Sequence, residues 1–346
     1  MKYNLTLAFL LLALTGWSKD QNEKRKVIDK SYKVTASTSL RISNSFGKIE
    51  INTWEKNEFA IKVEMIGRGR DDERAQKILD EIDVDISEGS TQISFQTSIE
   101  KMKNRNNEGF EVNYTISMPA TNPLEIKNSF GDVYMEDRSG DLEINVAYGS
   151  MKVGDVKGKT DLKLSFGSGS INGVKEANMN VKYSKFDIES ADKLDLVQGF
   201  SDIEIGEVKD LELESKYGSV EIEKAHTIDG DVHFSGLEID ELTGKLELES
   251  SYIGDFKIRR LAKSFTLVDI EGKFGSYEIG VEPGLNANIE AEFSFADLKV
   301  YDVNATFHYR VKESNKSIYK GIIGAGDDSK MIRIDSDYGN LRLKED

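Results

Sequence analysis

The chain of 346 residues contains no cysteine and has only three prolines, three histidines and two tryptophans. The lack of cysteine excludes a disulfide framework and a lipid anchor attached to cysteine, but it is compatible with export from a bacterial cell. Two of the histidines, His226 and His233, are seven residues apart. Zinc sites prefer tighter ligand pairs, so we interpret these two as solvent-exposed turn residues.

Positive charge is also scarce, because 46 Lys and Arg face 62 Asp and Glu, a formal net charge of −16. Such a surface repels nucleic acid and anionic lipid, so neither is expected as a partner. The acidity is concentrated between Gly199 and Asp255, which hold 16 acidic and 4 basic residues. We interpret this stretch as a solvated strand face. The alternative is a site for a cationic partner or for Ca²⁺, with Asp229, Asp231, Asp240 and Glu241 as candidate ligands, and no other cofactor is expected.

The N-terminus has the pattern of a secretory signal peptide over residues 1–18. Lys2 supplies the positive charge, Leu5 to Leu14 form a short apolar run, and Gly16-Trp17-Ser18 offers a small-x-small cleavage site. The apolar run is too short to span a bilayer. The sequence therefore predicts an exported bacterial protein, periplasmic or at the cell surface, with no membrane span once the signal is removed.

A short phrase recurs along the chain, consisting of an aromatic residue, usually glycine, and then a β-branched or aliphatic residue. From Phe130 to Tyr252 the aromatic residues are separated by 17 or 18 residues, and the gaps then lengthen to about 22. The aromatic and glycine positions are Phe46, Gly47, Phe130, Gly131, Tyr148, Gly149, Phe166, Gly167, Tyr183, Phe200, Tyr217, Gly218, Phe234, Tyr252, Phe274, Gly275, Phe295, Tyr338 and Gly339.

A constant period this short predicts one small unit stacked on copies of itself. Leu142, Ile144, Val146 and Tyr148 share one alternation parity, whereas Met151 has the other. The switch predicts a strand, a glycine corner and a second strand, with the aromatic ring inside the stack. Polar turns such as residues 137–140 end each unit. The predicted fold is all-β, a parallel β-helix or β-solenoid with rungs of about 17–22 residues; an antiparallel meander is the alternative.

The chain divides by pattern into four regions. After the signal peptide, residues 19–123 are predicted to form a mixed strand and helix cap, with a charged leader over 19–33 and a polar loop over 100–109. A helix is expected from Asp71 to Ile82, where acidic residues occupy the first turn. Residues 124–303 carry the solenoid repeats, and residues 304–346 are expected to form the C-terminal cap with a last partial rung.

No catalytic constellation stands out. Parallel β-helices also host polysaccharide lyases and hydrolases, which need converging carboxylates in a groove. Outward carboxylates are numerous but spread over many rungs, so no pair can be chosen. The candidates by parity are Glu143, Glu204, Glu212, Glu214, Glu221, Glu223, Glu247 and Glu249.

The segment Leu124–Val133, LEIKNSFGDV, resembles the repeat of a family of bacterial adhesin-like envelope proteins that is described as a domain of unknown function. That family is related to auto-transporter adhesin head domains. The same phrase at Leu40–Ile51, the helix and the strand ending at Met118-Pro119 fit the family pattern. The resemblance implies a β-helical fold and an envelope location, and it implies no catalytic residues.

The favoured prediction is therefore a non-enzymatic, exported, adhesin-like β-solenoid. It would present its acidic wall to an envelope or surface partner, either protein or glycan. The alternative is a carbohydrate-active β-helix enzyme that uses paired wall carboxylates.

Overall fold

The computed structural model describes residues 22–99 and 108–346. The predicted signal peptide, and the predicted loop except for its last two residues, lie outside this part. Within it the chain forms 24 strands and one short helix, which confirms the predicted β-solenoid preceded by a mixed region with one helix. The elements are β1 (Asn22–Lys33), β2 (Ser39–Ser45), β3 (Ile49–Trp54), β4 (Glu58–Gly69), α1 (Asp72–Asp80), β5 (Ile82–Glu88), β6 (Gln92–Ile99), β7 (Gly109–Pro119), β8 (Leu124–Ser129), β9 (Val133–Met135), β10 (Leu142–Ala147), β11 (Ser150–Val153), β12 (Val156–Ser165), β13 (Ser168–Lys182), β14 (Lys185–Gly199), β15 (Asp202–Ser251), β16 (Phe256–Leu261), β17 (Leu267–Lys273), β18 (Tyr277–Val281), β19 (Ala287–Ser294), β20 (Leu298–Tyr301), β21 (Ala305–Lys312), β22 (Lys316–Ile323), β23 (Met331–Asp337) and β24 (Leu341–Glu345).

Each rung has three segments. The strand before the repeat aromatic forms the first wall, the strand after it forms the second wall, and a short third segment leads to the next rung. On the first wall Leu142 pairs in parallel with Leu124 on one side and with Thr160 on the other. On the second wall Met151 pairs with Val133 and Gly169 in the same way. Equivalent residues of successive rungs therefore lie directly above one another.

Stacked aliphatic side chains fill the interior of the solenoid. Leu142, Ile144 and Val146 are buried on the first wall, and Met151 and Val153 are buried on the second. This alternation agrees with the parity predicted from the sequence. Because strand pairing continues across the corners, β15 alone passes through almost three rungs.

At the N-terminal end the stack begins with a rung that comes later in the chain. Strand β6 pairs in parallel with β2, and β7 pairs in parallel with β3, so β6 and β7 lie outside the first repeat. Strand β1 is the region predicted as a charged leader, and it pairs antiparallel with β4 along twelve residues. Asp71 caps the N-terminus of helix α1, and its side chain accepts a hydrogen bond from the Arg74 backbone N–H at 2.8 Å.

The C-terminal end also departs from chain order. Strand β23 lies between β17 and β19, and β24 lies between β18 and β20. The last rung of the chain is therefore the penultimate rung of the stack. The antiparallel hairpin of β21 and β22 covers the edge of β19. The hairpin thereby removes an open strand edge that would otherwise pair with other chains.

Candidate interaction surface

The repeat aromatics lie on the outside of the solenoid, at the corner between the first and second walls. Their side chains are 40–59 % exposed, so the prediction that they lie inside is wrong. We call these twelve residues of the described chain the aromatic ladder. In spatial order they are Phe46, Phe130, Tyr148, Phe166, Tyr183, Phe200, Tyr217, Phe234, Tyr252, Phe274, Tyr338 and Phe295.

The backbone conformation explains this outward direction. Every residue of the aromatic ladder has a positive φ, between 51° and 62°, which is the left-handed region. One such residue between two extended segments bends the chain and turns its own side chain outward. The last buried position of the first wall is therefore two residues before the aromatic residue. The backbone stays paired, since the Tyr148 N–H donates to the Ser165 carbonyl at 3.0 Å. A left-handed non-glycine residue costs about 1–3 kcal/mol, and the twelve aromatics carry this strain together.

The glycines that follow the aromatics serve close packing, and the prediction that they supply the bend is wrong. A Cβ on Gly149 would lie 2.1 Å from the Gly131 carbonyl oxygen, which no side chain can tolerate. Gly131 has the same relation to the Gly47 carbonyl oxygen, at 2.0 Å. Gly47, Gly149 and Gly167 have no positive φ. These residues allow successive rungs to touch at the corner.

The rings of the aromatic ladder are stacked in parallel. Successive centroids are 4.7–5.2 Å apart with interplanar angles of 2–13°. This spacing is the distance between neighbouring β-strands, so the fold sets the pitch of the ladder. At the N-terminal end the Phe110 ring packs edge-on against Phe46, with centroids 4.9 Å apart.

Phenylalanine and tyrosine alternate along the ladder from Phe130 to Phe295. The alternation holds in space although it fails in the chain, because Tyr338 is inserted between Phe274 and Phe295. Tyrosine hydroxyls therefore recur at every second rung, on the order of 10 Å apart by strand spacing. Neighbouring hydroxyls are too far apart to bond to one another, so each is available to an outside partner.

The ladder exposes ring edges, because neighbouring rings cover most of the ring faces. A sugar ring stacks on an aromatic face, so the middle of the ladder offers no platform for glycan stacking. Ring edges carry the positive end of the aromatic quadrupole and favour other rings and electron-rich groups. If half of each ring's roughly 200 Å² is exposed, the strip totals on the order of 1,000 Å². Monomeric proteins rarely expose a contiguous apolar patch larger than about 300–600 Å².

Carboxylates line the first wall beside the last rungs of the ladder. Glu249, Glu271, Asp335 and Glu292 follow one another in register on neighbouring strands. Partial burial, followed by repulsion from Glu292, Asp337 and Glu271, raises the pKa of Asp335. The folded chain thus binds this proton more tightly than the unfolded chain, so ionised Asp335 destabilises the fold above its pKa.

Replacing Asp335 by asparagine is expected to stabilise the isolated chain at neutral pH. The gain stays below about 1 kcal/mol because solvent screens the exposed carboxylates. It should shrink as the pH falls, since protonation removes the same repulsion. Thermal unfolding at pH 7 and near pH 4 measures the difference. Asp29→Asn, on β1 at the other end of the stack, is the control; a lower melting temperature for Asp335→Asn at pH 7 contradicts the expectation.

The second wall carries a shallow groove of about 770 Å³, lined by carboxylates of successive rungs including Glu204, Glu221 and Glu238. Arg259 closes one end and bonds Glu238 at 2.6 Å, which lowers the pKa of that carboxyl. Of the carboxylates proposed for catalysis, Glu204, Glu221 and Glu223 lie on this wall. The others lie on the first wall: Glu143, Glu212, Glu214, Glu247 and Glu249.

The four candidate calcium ligands are divided between different segments of the rungs. Asp229 and Asp231 precede Phe234 on the first wall, whereas Asp240 and Glu241 follow the second wall. Asp240 pairs with Arg259 at 2.9 Å, and Glu241 pairs with Arg260 at 2.5 Å. Across residues 22–99 and 108–346, no three acidic or histidine side chains form a metal-binding group.

The two histidines predicted in turns lie within the long strand β15. His233 lies beside the ladder and its Nε2 is 2.6 Å from an Asp231 carboxylate oxygen. His226 is exposed and its Nδ1 lies 3.2 Å from the Thr243 hydroxyl. They bond different neighbours, so they form no shared site.

Three comparisons with known proteins add to this picture. The family model described as Toastrack DUF4097 matches residues 12–344. No curated protein matches the sequence. Three solved structures are similar to the chain: a proposed adhesin from Bacteroides fragilis (13 % identity, 93 % and 97 % of the two chains covered, TM-score 0.29), a proposed adhesin from Parabacteroides merdae (7 %, 92 % and 96 %, 0.30), and a proposed lipid-binding protein from Parabacteroides distasonis (12 %, 92 % and 96 %, 0.26). In the described part of the chain, no helix has the length and apolar character needed to cross a bilayer.

Proposed function

The chain belongs to the Toastrack DUF4097 family, and we propose that it is an exported, adhesin-like interaction module that contacts its partner through the aromatic ladder. The observation that carries the proposal is a continuous strip of half-exposed rings. Its area is larger than that of the apolar patches that monomeric soluble proteins usually expose. The acidic walls on either side keep the strip soluble and form the charged rim of the contact.

Two properties of the ladder support a binding role. The first is strain, because left-handed non-glycine residues cluster where a function requires them. The second is rigidity, because stacked rings on a β-solenoid lose little conformational freedom when a partner docks. A strip of rigid aromatic anchors inside a polar rim is the composition of a protein-binding surface.

Catalysis by wall carboxylates has weaker support. A glycosidase needs one carboxyl group with a raised pKa next to an ionised partner, inside a site that excludes water. Asp335 has a raised pKa, but it lies among exposed carboxylates on a flat wall. Glu238, in the groove of the second wall, has a lowered pKa and is paired with Arg259.

The double substitution Phe200→Asn and Tyr217→Asn tests the proposal. Asparagine tolerates the left-handed region, so the corner persists while two central rings are lost. Beads coated with the chain lacking residues 1–18 are applied to cell envelopes of the native organism. We expect the variant to bind at least about tenfold less than the wild type, since central aromatics dominate interfaces.

Tyr309→Asn is the matched control, because Tyr309 is as exposed as a ladder ring but lies on the β21–β22 hairpin. It should bind like the wild type. Equal binding by the ladder variant and the control, with both proteins folded by circular dichroism, would refute the proposed contact surface.

A further inference from the structure

We propose that the partner of the aromatic ladder is a second copy of this chain, docked antiparallel with ladder against ladder. The inference rests on the proposed function and names its partner. Envelope contact would then be homophilic, between copies carried on the two surfaces.

The first argument is shape. The two ladders have the same pitch of 4.7–5.2 Å, so every ring of one copy meets a ring of the other along the whole strip. If the partner had a different repeat spacing, its side chains would lose alignment with the rings of the ladder within a few rungs. A stable interface buries about 800 Å² per partner, and the strip offers on the order of 1,000 Å².

The second argument is the order of the rings. A two-fold axis between Phe200 and Tyr217 places the sixth ring against the seventh and the second against the eleventh. Each phenylalanine from Phe130 inward then faces a tyrosine, and each tyrosine faces a phenylalanine. Each tyrosine hydroxyl then meets the edge of a phenylalanine ring instead of another hydroxyl, and the positive ring edge favours the hydroxyl oxygen.

The third argument is charge. An antiparallel two-fold places the first wall of one copy against the first wall of the other. Lys163 beside Phe166 then faces Glu249 beside Tyr252. On the neighbouring rungs Asn180 beside Tyr183 faces Asp231 beside Phe234, a pair without like-charge repulsion.

Two rungs farther out on the first wall, Lys127 faces Asp335, whose carboxyl group forms no ion pair within the described chain, although Lys316 partly offsets the repulsion from its acidic neighbours. Lys163 is exposed and forms no ion pair in that part of the molecule either. The dimer gives both Asp335 and Lys163 an ion-pair partner. Opposite charges in register guide two surfaces to one orientation.

The second wall shows the same complementarity. Lys48 faces Asp297 and Lys152 faces Glu278 in the antiparallel arrangement. The exceptions are the four central rungs, where Glu204 meets Glu221 and Asp187 meets Glu238.

A parallel dimer would set the first wall of each rung against the second wall of the same rung. Lys182 would then oppose Lys185, and Asp231 would oppose Glu238. The pairs of Lys163 with Glu249 and of Lys127 with Asp335 form only in the antiparallel arrangement.

A charge exchange tests this geometry. Within one chain Lys163 and Glu249 are five rungs, about 24 Å, apart, so they do not interact there. Lys163→Glu and Glu249→Lys should each weaken self-association about tenfold or more, because two-fold symmetry repeats each clash. The double exchange should restore wild-type association. Sedimentation equilibrium of the chain lacking residues 1–18 measures the dissociation constants.

The matched control exchanges Lys157 and Glu207, which lie on the third segment away from the ladder, and it should leave association unchanged. Phe200→Asn should produce monomers. A wild-type chain that stays monomeric at the highest soluble concentration, or a double exchange as weak as the single variants, overturns the proposal.

Bead binding separates this inference from the proposed function. Homophilic contact requires the chain on both surfaces, so beads should bind envelopes of cells that make the protein and not those of a deletion strain. Ladder-dependent binding to both envelopes would overturn the homophilic partner and leave the proposed function standing. Dimers in solution together with envelope binding that does not depend on the ladder would refute the proposed function and leave self-association standing.

Discussion

Replacing Gly149 by alanine is expected to destabilise the fold by about 3 kcal/mol or more, the upper range for overpacking a rigid site. The new Cβ would lie 2.1 Å from the Gly131 carbonyl oxygen and 2.8 Å from its carbonyl carbon. Both atoms belong to the corner backbone between the paired strands β8 and β9, so no side-chain rotation can relieve the contact. The two rungs must separate, and the stacking of Phe130 on Tyr148 is lost with them. Equilibrium unfolding in urea measures the loss.

Gly254→Ala is the control for this substitution. Gly254 lies near the same corner, two residues after Tyr252, and a Cβ there meets no atom within 4 Å. Its effect should stay within about 0.5 kcal/mol, as for a surface substitution. If Gly149→Ala were as stable as Gly254→Ala, close packing would not be the reason for glycine at the corner.

The period and the alternation of the repeat were enough to predict the solenoid. Leu142, Ile144 and Val146 lie inside as predicted, because a strand that buries one face needs period-two alternation. The same rule placed Tyr148 inside, and that prediction was wrong. Alternation holds only while the backbone is extended, and nothing local marks a tyrosine as left-handed, a region more common for glycine or asparagine.

The order of the rungs could not be predicted from the sequence either. Each rung carries the same phrase, so the phrase around Tyr338 fits next to any other rung. The hairpin of β21 and β22 occupies the end of the stack and sends the chain back between β17 and β19. The alternation of Phe and Tyr is visible only in the resulting order, since Phe274 and Phe295 are successive repeat aromatics in the chain.

Replacing Arg138 by leucine is expected to cost about 3 kcal/mol. The sequence predicts a polar turn over residues 137–140, yet Arg138 is only 2 % exposed, and its burial lowers the pKa of the guanidinium to about 10. Its Nη2 donates to the Asn122 carbonyl, and its Nε donates to the Gly140 carbonyl at 3.3 Å. Leucine would leave these acceptors buried without donors, at about 1–3 kcal/mol each, and relief of the buried charge offsets part of that cost.

Arg138→Lys separates the hydrogen bonds from the charge. Lysine keeps the cation but cannot reach two carbonyls with a planar fork, so its loss in urea unfolding should fall between those of the wild type and Arg138→Leu. Arg259→Ala, at a half-exposed ion pair on the second wall, is the control and should unfold at nearly the same urea concentration as the wild type, since solvent screens such pairs. An Arg138→Leu chain as stable as the wild type would mean that the carbonyls find other donors. Arg138 would then be a buried charge without a stabilising role. Its contacts indicate instead that it stabilises the first repeat rungs by donating to the carbonyls of Asn122 and Gly140.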